Sequence, residues 1–251
     1  MTPAEVPTGQ RGSALRSLAT RLLLGSLLLL SPLLVVSCTA NGGPSRQSLG
    51  CATAATPCLS GPATVAMQTT RGEVQFQLDG RAAPLTAGNF VDLVKRGAYN
   101  GTVFHRVVRE PTAFVVQGGD PLSANPVVPP TQYGTGNFID PSTAEARLIP
   151  LEIKLTDEAK PRYGEPITAP GVTRQLDLPH QRGALAMARS NDPNSASAQF
   201  YVALQALPEL DGRYAVFGRV SQGMEVIDRI QQGDKIIKAT LVSGGKLVQG
   251  D

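Results

Sequence analysis

Apolar and polar residues alternate strictly over residues 73–79, which places the three large apolar side chains of this segment on one face of a strand. The preceding segment, 64–70, is also strand-like, and Arg71-Gly72 between the two supplies a turn, so together they predict a hairpin. Further short strands are predicted at 102–107, 113–117, 149–155, 184–188, 199–204, 214–220 and 235–242.

Helical periodicity occurs in two isolated places. Pro84 opens an amphipathic segment that ends at Gly97, and residues 224–231 repeat the same spacing of apolar positions. Many short strands with two separate helices do not fit alternating βαβ units. They predict a mainly β fold, a closed antiparallel eight-stranded barrel capped by the two helices. The proline-rich stretch 121–182 is expected to form long loops over one face of it.

The start of the chain has the pattern of an export signal. Three arginines precede an uncharged apolar run over 22–36, which at 15 residues is shorter than the roughly 20 that span a bilayer. The run ends in Val-Val-Ser-Cys, which resembles the bacterial lipoprotein cleavage box, so we expect Cys38 to be acylated as the first residue of the mature protein. An ordinary signal peptide or an uncleaved anchor is the alternative.

This pattern divides the chain into three parts: a signal peptide of lipoprotein type (1–37), a flexible linker (38–62) and one folded domain (63–251). Cys51 and Cys58 fall in the expected linker. Export would place them in an oxidising compartment, where they can form a disulfide; two free thiols are the alternative. Six residues separate them, not the two of a thioredoxin-type pair, so we expect no catalytic role.

The composition excludes several functional classes. The chain has 23 Lys and Arg against 20 Asp and Glu, a net charge of +3. Three Arg and one Glu within 1–38 supply +2 of this, and the remaining +1 is too little for a nucleic-acid binder. Two His and three Cys are too few and too scattered for a multi-ligand metal site. We therefore expect no binding of nucleic acid and no metal site. We also expect a monomer that needs no cofactor.

Pattern alone identifies no set of catalytic residues. His105 could be a general base, but a lone histidine in a strand is more often structural. His180 lies in a proline-rich loop and has no visible partner in the sequence. The segment 117–120 contains two glycines but lacks the Lys-Ser/Thr pair of a phosphate-binding loop.

Six short blocks of sequence say more when they are taken together. They are Asn89-Phe90-Val91, Phe104-His105-Arg106-Val107, 114–120, 183–188, 198–201, and Leu210-Asp211-Gly212 with Val216-Phe217-Gly218. In this order and spacing they resemble the cyclophilin signature, over about residues 63–250. Residues 138–143, 147–153 and 211–218 are most similar to cyclophilins of the thylakoid lumen and their cyanobacterial relatives.

The resemblance implies a peptidyl-prolyl cis–trans isomerase that assists folding of exported proteins, whose partners are their proline-containing segments. Arg106 matches the family arginine that hydrogen-bonds the proline nitrogen, and Gln117 matches the glutamine that steadies it. The matching substrate-binding positions are Phe114, Val115, Gln199, Tyr201, Leu210 and Tyr214. Each of these side chains could instead be simple core packing. From the leader segment we expect the protein to be exported and anchored to a membrane as a lipoprotein, facing the periplasm or the thylakoid lumen.

Several positions depart from the family pattern. Glu209 stands where many members have tryptophan, Tyr214 where histidine is common, Tyr201 where phenylalanine is usual, and Arg189 where asparagine is usual. Three extra residues lie between Arg106 and Phe114. These changes leave two other functions open. One is a catalytically weak module that binds proline segments or scaffolds a membrane-associated partner complex. The other is a structural lipoprotein with a decayed site.

Overall fold

The computed structural model describes residues 50, 51 and 54–249. The strands are β1 (Cys58–Thr69), β2 (Gly72–Asp79), β3 (Arg106–Val107), β4 (Val115–Gly118), β5 (Ile139–Asp140), β6 (Glu145–Ala146), β7 (Glu152–Ile153), β8 (Arg162–Tyr163), β9 (Ala184–Met187), β10 (Phe200–Ala203), β11 (Val216–Gln222) and β12 (Ile236–Val248). The α-helices are α1 (Pro84–Lys95), α2 (Pro170–Thr173) and α3 (Met224–Arg229), and short 3-10 turns lie at Pro121–Ala124, Pro130–Gln132 and Pro208–Leu210.

Eight strands form one antiparallel sheet in the order β12-β1-β2-β11-β9-β10-β4-β3. The predicted hairpin is its longest regular pairing, with Val65 opposite Phe76. Next to the two outer strands, the backbone of Phe104 donates to Asp234 O and that of Ile236 donates to Thr102 O, both at 2.8 Å. The mainly β fold is therefore confirmed, whereas closure of the sheet into a barrel stays a prediction that these two contacts support.

An aromatic cluster occupies the centre of the core. The ring of Phe200 lies 5.5 Å from those of Phe90 and Tyr99, and 6.4 Å from those of Phe76 and Phe104. All five side chains are fully buried. Edge-to-face ring pairs of this kind add to the stabilisation from buried area. Phe90 belongs to α1, so the cluster also fixes this helix against the sheet.

The beginning of α1 is capped by a residue from a distant segment. Ala83 precedes the helix and has no side chain that can accept a hydrogen bond. The carboxylate of Glu152, on β7, instead accepts from the backbone N–H of Leu85 (3.1 Å) and of Thr86 (2.7 Å). Burial raises the pKa of this carboxyl, and the two N–H donors act in the opposite direction. The pairing joins the 149–155 segment to the helix.

Several sequence-based boundaries were wrong. β1 begins at Cys58, whose side chain is buried, so the expected linker 38–62 ends inside the sheet. β12 continues to Val248, beyond the expected end at 242, because Gly244 and Gly245 adopt positive φ at an irregularity opposite residues 60–63 of β1, after which the pairing resumes. The stretch 121–182 contains the small ladders β5–β6 and β7–β8 and the extra helix α2. Strands of two residues show no alternation that a sequence pattern could reveal.

We expect Glu152→Ala to lower the free energy of unfolding by about 2–4 kcal/mol, because it leaves two buried N–H groups of α1 without an acceptor. Chemical denaturation followed by circular dichroism measures this. Glu158→Ala is the matched control, since that glutamate forms only an exposed ion pair with Arg162. Equal transition midpoints for the two variants would show that the distant cap contributes nothing.

Candidate active site

Three neighbouring strands bring the polar residues of the site together. Arg106 on β3 lies opposite Gln117 on β4, and Gln117 lies opposite Tyr201 on β10. Residues directly opposite in an antiparallel pair project from the same face of the sheet. The three side chains therefore form a row across the sheet, although 95 residues separate the first from the last in the sequence (201 minus 106).

A chain of hydrogen bonds holds the polar end of this row. Arg106 Nη1 donates to Gln117 Oε1 at 3.4 Å, and Gln117 Nε2 donates to Gln199 Oε1 at 3.2 Å. Gln199 Nε2 in turn donates to the carbonyl oxygens of Gly134 (3.0 Å) and Gly136 (2.9 Å). The Arg106 guanidinium also lies 5.7 Å from the ring centre of Phe114. These contacts fix the direction of an otherwise exposed cation.

A pocket of about 290 Å³ with both polar and apolar walls opens beside Arg106. Its lining residues are Arg106, Phe114, Val115, Gln117, Ala188, Arg189, Tyr201, Leu210 and Tyr214. The apolar members pack on a small cluster that includes Leu207 and Val216, on the opposite side of the sheet from the aromatic core. Seven of the eight residues expected from sequence thus surround one pocket. The eighth, Gln199, lines an adjacent recess of about 310 Å³ that shares Gln117, Ala188 and Arg189 with the first.

Arg189 lies where the two recesses meet. Its guanidinium stacks over the Tyr214 ring at 4.6 Å and donates to the carbonyl oxygens of Arg213 and Ser190, each at 2.7 Å. Arg106 and Arg189 are the charged residues among those that line the two recesses. The departure from asparagine therefore adds a second fixed cation to the site and orients Tyr214.

His180 is the functional-site neighbour that sequence reasoning missed. Its ring is buried, with Nε2 2.8 Å from the hydroxyl of Tyr201 and Nδ1 2.8 Å from Asp211 Oδ1. The expectation that His180 has no partner was wrong. A signal was present, since a tyrosine in place of phenylalanine at a buried position needs a hydrogen-bond partner. Burial raises the pKa of the Tyr201 hydroxyl well above its usual value.

The three extra residues after Arg106 do not line the pocket. Arg109 donates through Nη2 to the carbonyl oxygens of Ile227 (3.1 Å) and Ile230 (2.7 Å), at the end of α3. A cation at a helix C-terminus is favourable because it meets unpaired carbonyl groups and the negative end of the helix dipole. Arg109 therefore tethers the 108–113 loop to α3, and no residue of this loop lines the pocket.

His105, next to Arg106, is half-buried beneath Gly134. Burial lowers the pKa of its imidazole, and Asp120 partly opposes that shift. The ring is therefore held neutral under the loop that carries the carbonyl partners of Gln199. This position fits the structural role that sequence reasoning favoured over that of a general base.

Cys51 and Cys58 do not line the pocket. The structure contains a disulfide between Cys51 and Cys58, which joins the segment ahead of β1 to its first residue. Cys38 and the expected signal peptide 1–37 fall outside the described residues. Among the residues that the structure describes, no helix is long and apolar enough to cross a membrane. Nor does this part of the chain bring together three His, Cys, Asp or Glu side chains able to hold a metal ion.

Comparison with known families adds a match over most of the domain. The profile of the family described as cyclophilin type peptidyl-prolyl cis-trans isomerase/CLD matches residues 64–245. A Synechocystis protein named for a thylakoid lumen peptidyl-prolyl cis-trans isomerase is 41% identical over 206 residues, 78% of this chain and 51% of that protein. The chloroplastic isomerase CYP38 of Arabidopsis thaliana is 40% identical, over 66% of this chain and 37% of its own. The chain thus spans about half or less of the length of these two relatives.

Other relatives are of comparable length to this chain. A Brucella suis protein named for the same isomerase activity is 32% identical over 73% of this chain and 84% of its own. Among solved structures, a cyclophilin-type isomerase of Cryptosporidium parvum superposes with a TM-score of 0.54 at 24% identity, over 73% of this chain and 99% of that one. At this identity the superposition supports the fold alone.

Burial lowers the pKa of His105 in the folded chain. At a pH below the ordinary imidazole pKa of about 6.5, the unfolded chain therefore binds a proton at this residue more readily than the folded chain does. We therefore expect the free energy of unfolding to decrease as the pH falls from 7.5 to 5.5. His105→Gln should flatten this part of the curve, as measured by urea denaturation at several pH values. Parallel curves for the two proteins would contradict the expected effect of burial.

Proposed function

Because the chain belongs to the cyclophilin-type peptidyl-prolyl cis–trans isomerase family, we propose that it accelerates cis–trans isomerisation of peptide bonds that precede proline. The observation that supports this most directly is an oriented guanidinium, Arg106, at the edge of a pocket that has apolar side chains in its walls. The barrier to rotation is about 18–20 kcal/mol because the amide loses resonance as it twists. No covalent bond is broken, so the reaction needs only groups that bind the twisted amide better than either planar form.

Arg106 supplies an interaction that is present in the twisted transition state and absent from the two planar forms of the amide. The proline nitrogen carries no available lone pair in the planar amide and regains one as the bond twists, so a fixed donor can hydrogen-bond to it in the transition state alone. Gln117 holds the guanidinium in place through its amide oxygen. A lysine would be a poor replacement because its ammonium lacks the rigid donor fork.

The apolar walls bind the proline ring and the amides bind the peptide backbone. Phe114, Tyr201 and Leu210 form the walls, with Val115 at the base and Tyr214 at the rim. The N–H groups of Gln199 donate to the Gly134 and Gly136 carbonyl oxygens, and its Oε1 accepts from Gln117. This Oε1 has a second lone pair, which can accept from a substrate N–H. In this arrangement the substrate crosses from the proline pocket into the neighbouring recess. A Cryptosporidium parvum relative was crystallised in the presence of the dipeptide Ala-Pro, a fragment of such a substrate.

The clients in this proposal are exported proteins. The Synechocystis and Arabidopsis relatives are named for the thylakoid lumen and the chloroplast, and residues 1–38 have the pattern of a lipoprotein export signal. An acylated Cys38 would then tether the domain to the membrane through the residues that precede β1. A sheet closed into a barrel, with no free edge, would suit such a compartment crowded with unfolded chains.

Arg106→Ala should lower kcat/KM on an Ala-Pro-Phe peptide by about 10²-fold, the usual cost of losing a donor that acts in the transition state. NMR exchange spectroscopy on the full-length chain measures the rate without a coupling protease. Arg219→Ala is the matched control, because Arg219 is an exposed arginine on β11 and lines neither recess. Undiminished turnover in Arg106→Ala would contradict the proposed chemistry, and a wild-type protein that binds the peptide without turnover would be a binding module.

Mass spectrometry of the mature protein from membranes should find an N-terminal Cys38 that carries acyl chains. Cys38→Ser should remove this modification and release the protein into the soluble fraction. A mature chain that begins after Cys38, or an unmodified Cys38, would contradict the lipoprotein proposal without affecting the proposed activity.

A further inference from the structure

A buried chain of hydrogen bonds runs from the proline pocket to a surface turn. Asp211 Oδ1 accepts from the backbone N–H of His180 and lies 2.8 Å from His180 Nδ1. On the other side of the ring, Nε2 lies 2.8 Å from the Tyr201 hydroxyl. Tyr201 lines the pocket, and its ring is stacked against the His180 ring with 6.0 Å between centres.

The partners decide which atoms donate. A carboxylate can only accept, so the Nδ1 of a neutral His180 carries the hydrogen and donates it to Asp211. Nε2 then has a lone pair, which accepts the hydrogen of the Tyr201 hydroxyl. The hydroxyl is thus fully directed toward His180, and the part of Tyr201 that faces the pocket is its apolar ring.

The same histidine also links two walls of the pocket. Leu210 lies in the turn Pro208–Leu210, and Asp211 follows it directly. The His180 carbonyl accepts from Leu207 N at 2.8 Å, so both ends of this turn are tied to one residue. Tyr201, on β10, is tied to it through the ring. The backbone contacts of residue 180 hold the turn whatever its side chain, but the His180 ring alone connects this turn to the Tyr201 hydroxyl by hydrogen bonds.

We propose that His180 is a positioning residue that preforms the proline pocket by holding Tyr201 and the Leu210 turn in place. This inference rests on the proposed function and concerns the same site. His180 is itself buried and is absent from the residues that line the pocket, so it acts on substrate through its two neighbours. A pocket formed before binding saves the entropy of ordering its walls, so the loss of His180 should appear in substrate affinity.

A purely structural role would have a different signature. Apolar side chains could fill this part of the core without the Tyr201 hydroxyl or the His180 imidazole. A buried polar group stabilises the fold only when it is fully paired. Tyr99 provides the comparison within the chain, since its buried hydroxyl donates to Ala198 O at 3.1 Å and lines neither recess. Loss of that hydroxyl should affect stability alone.

The test compares His180→Leu, Tyr201→Phe, their double variant and Tyr99→Phe in the full-length chain, with NMR exchange on the Ala-Pro-Phe peptide. We expect His180→Leu to raise KM about fivefold or more while kcat stays within about twofold. The double variant should recover part of this loss, because it removes the hydroxyl that His180→Leu leaves unpaired. Tyr99→Phe should lower the melting temperature with KM unchanged.

Three results would overturn the inference. The first is an unchanged KM in His180→Leu, and the second is a KM that rises equally in Tyr99→Phe. The third is a set of 15N NMR chemical shifts of the His180 ring, in the wild-type protein, that place its hydrogen on Nε2. The proposed function is tested separately by the wild-type protein. If the wild type binds the peptide without turnover, the isomerase proposal fails, and the same variants then test the positioning role through the dissociation constant.

Discussion

The alternation of side chains along β10 is the constraint on which both the core and the site depend. Phe200 points into the aromatic cluster at the centre of the fold, so the residues on either side of it along the chain must point to the other face of the sheet. Tyr201 consequently lines the proline pocket and Gln199 the adjacent recess. β4 repeats the arrangement, since Val116 lies in the core. A slip of one residue would exchange core and site.

Buried polar side chains then connect loops that have no regular strand pairing to this sheet. Asp120 accepts from the backbone N–H of Leu122 and Gly134 and so holds the loop that supplies the partners of Gln199. Glu152 joins its segment to α1, and His180 joins the Leu210 turn to β10. In each case one side chain pairs groups that would otherwise be buried without a partner. Such contacts therefore help to order the long 121–182 stretch, together with its backbone hydrogen bonds.

The success of the sequence-based predictions depended on whether a feature has a local pattern, a family motif or neither. The β1–β2 hairpin followed from alternation, and helix α1 from its amphipathic spacing between Pro84 and Gly97. Arg106, Gln117 and the pocket walls followed from resemblance, because the family motif preserves both residue type and order. The His180 contact did not, because His180 lies outside the motif blocks and its partner is 21 residues away. The contact of Arg109 with the end of α3 likewise spans 121 residues.

The sequence by itself determined the family, the alternating strands and the residue types from which a prolyl isomerase site can be built. These properties are local, since they depend on neighbours along the chain or on motifs a few residues long. The tertiary structure decided which polar groups meet: Glu152 with α1, His180 with Tyr201, and Gln199 with Gly134 and Gly136. The physical reason is that a buried donor or acceptor must be paired, while the residue that pairs it can come from any part of the chain that folding brings near.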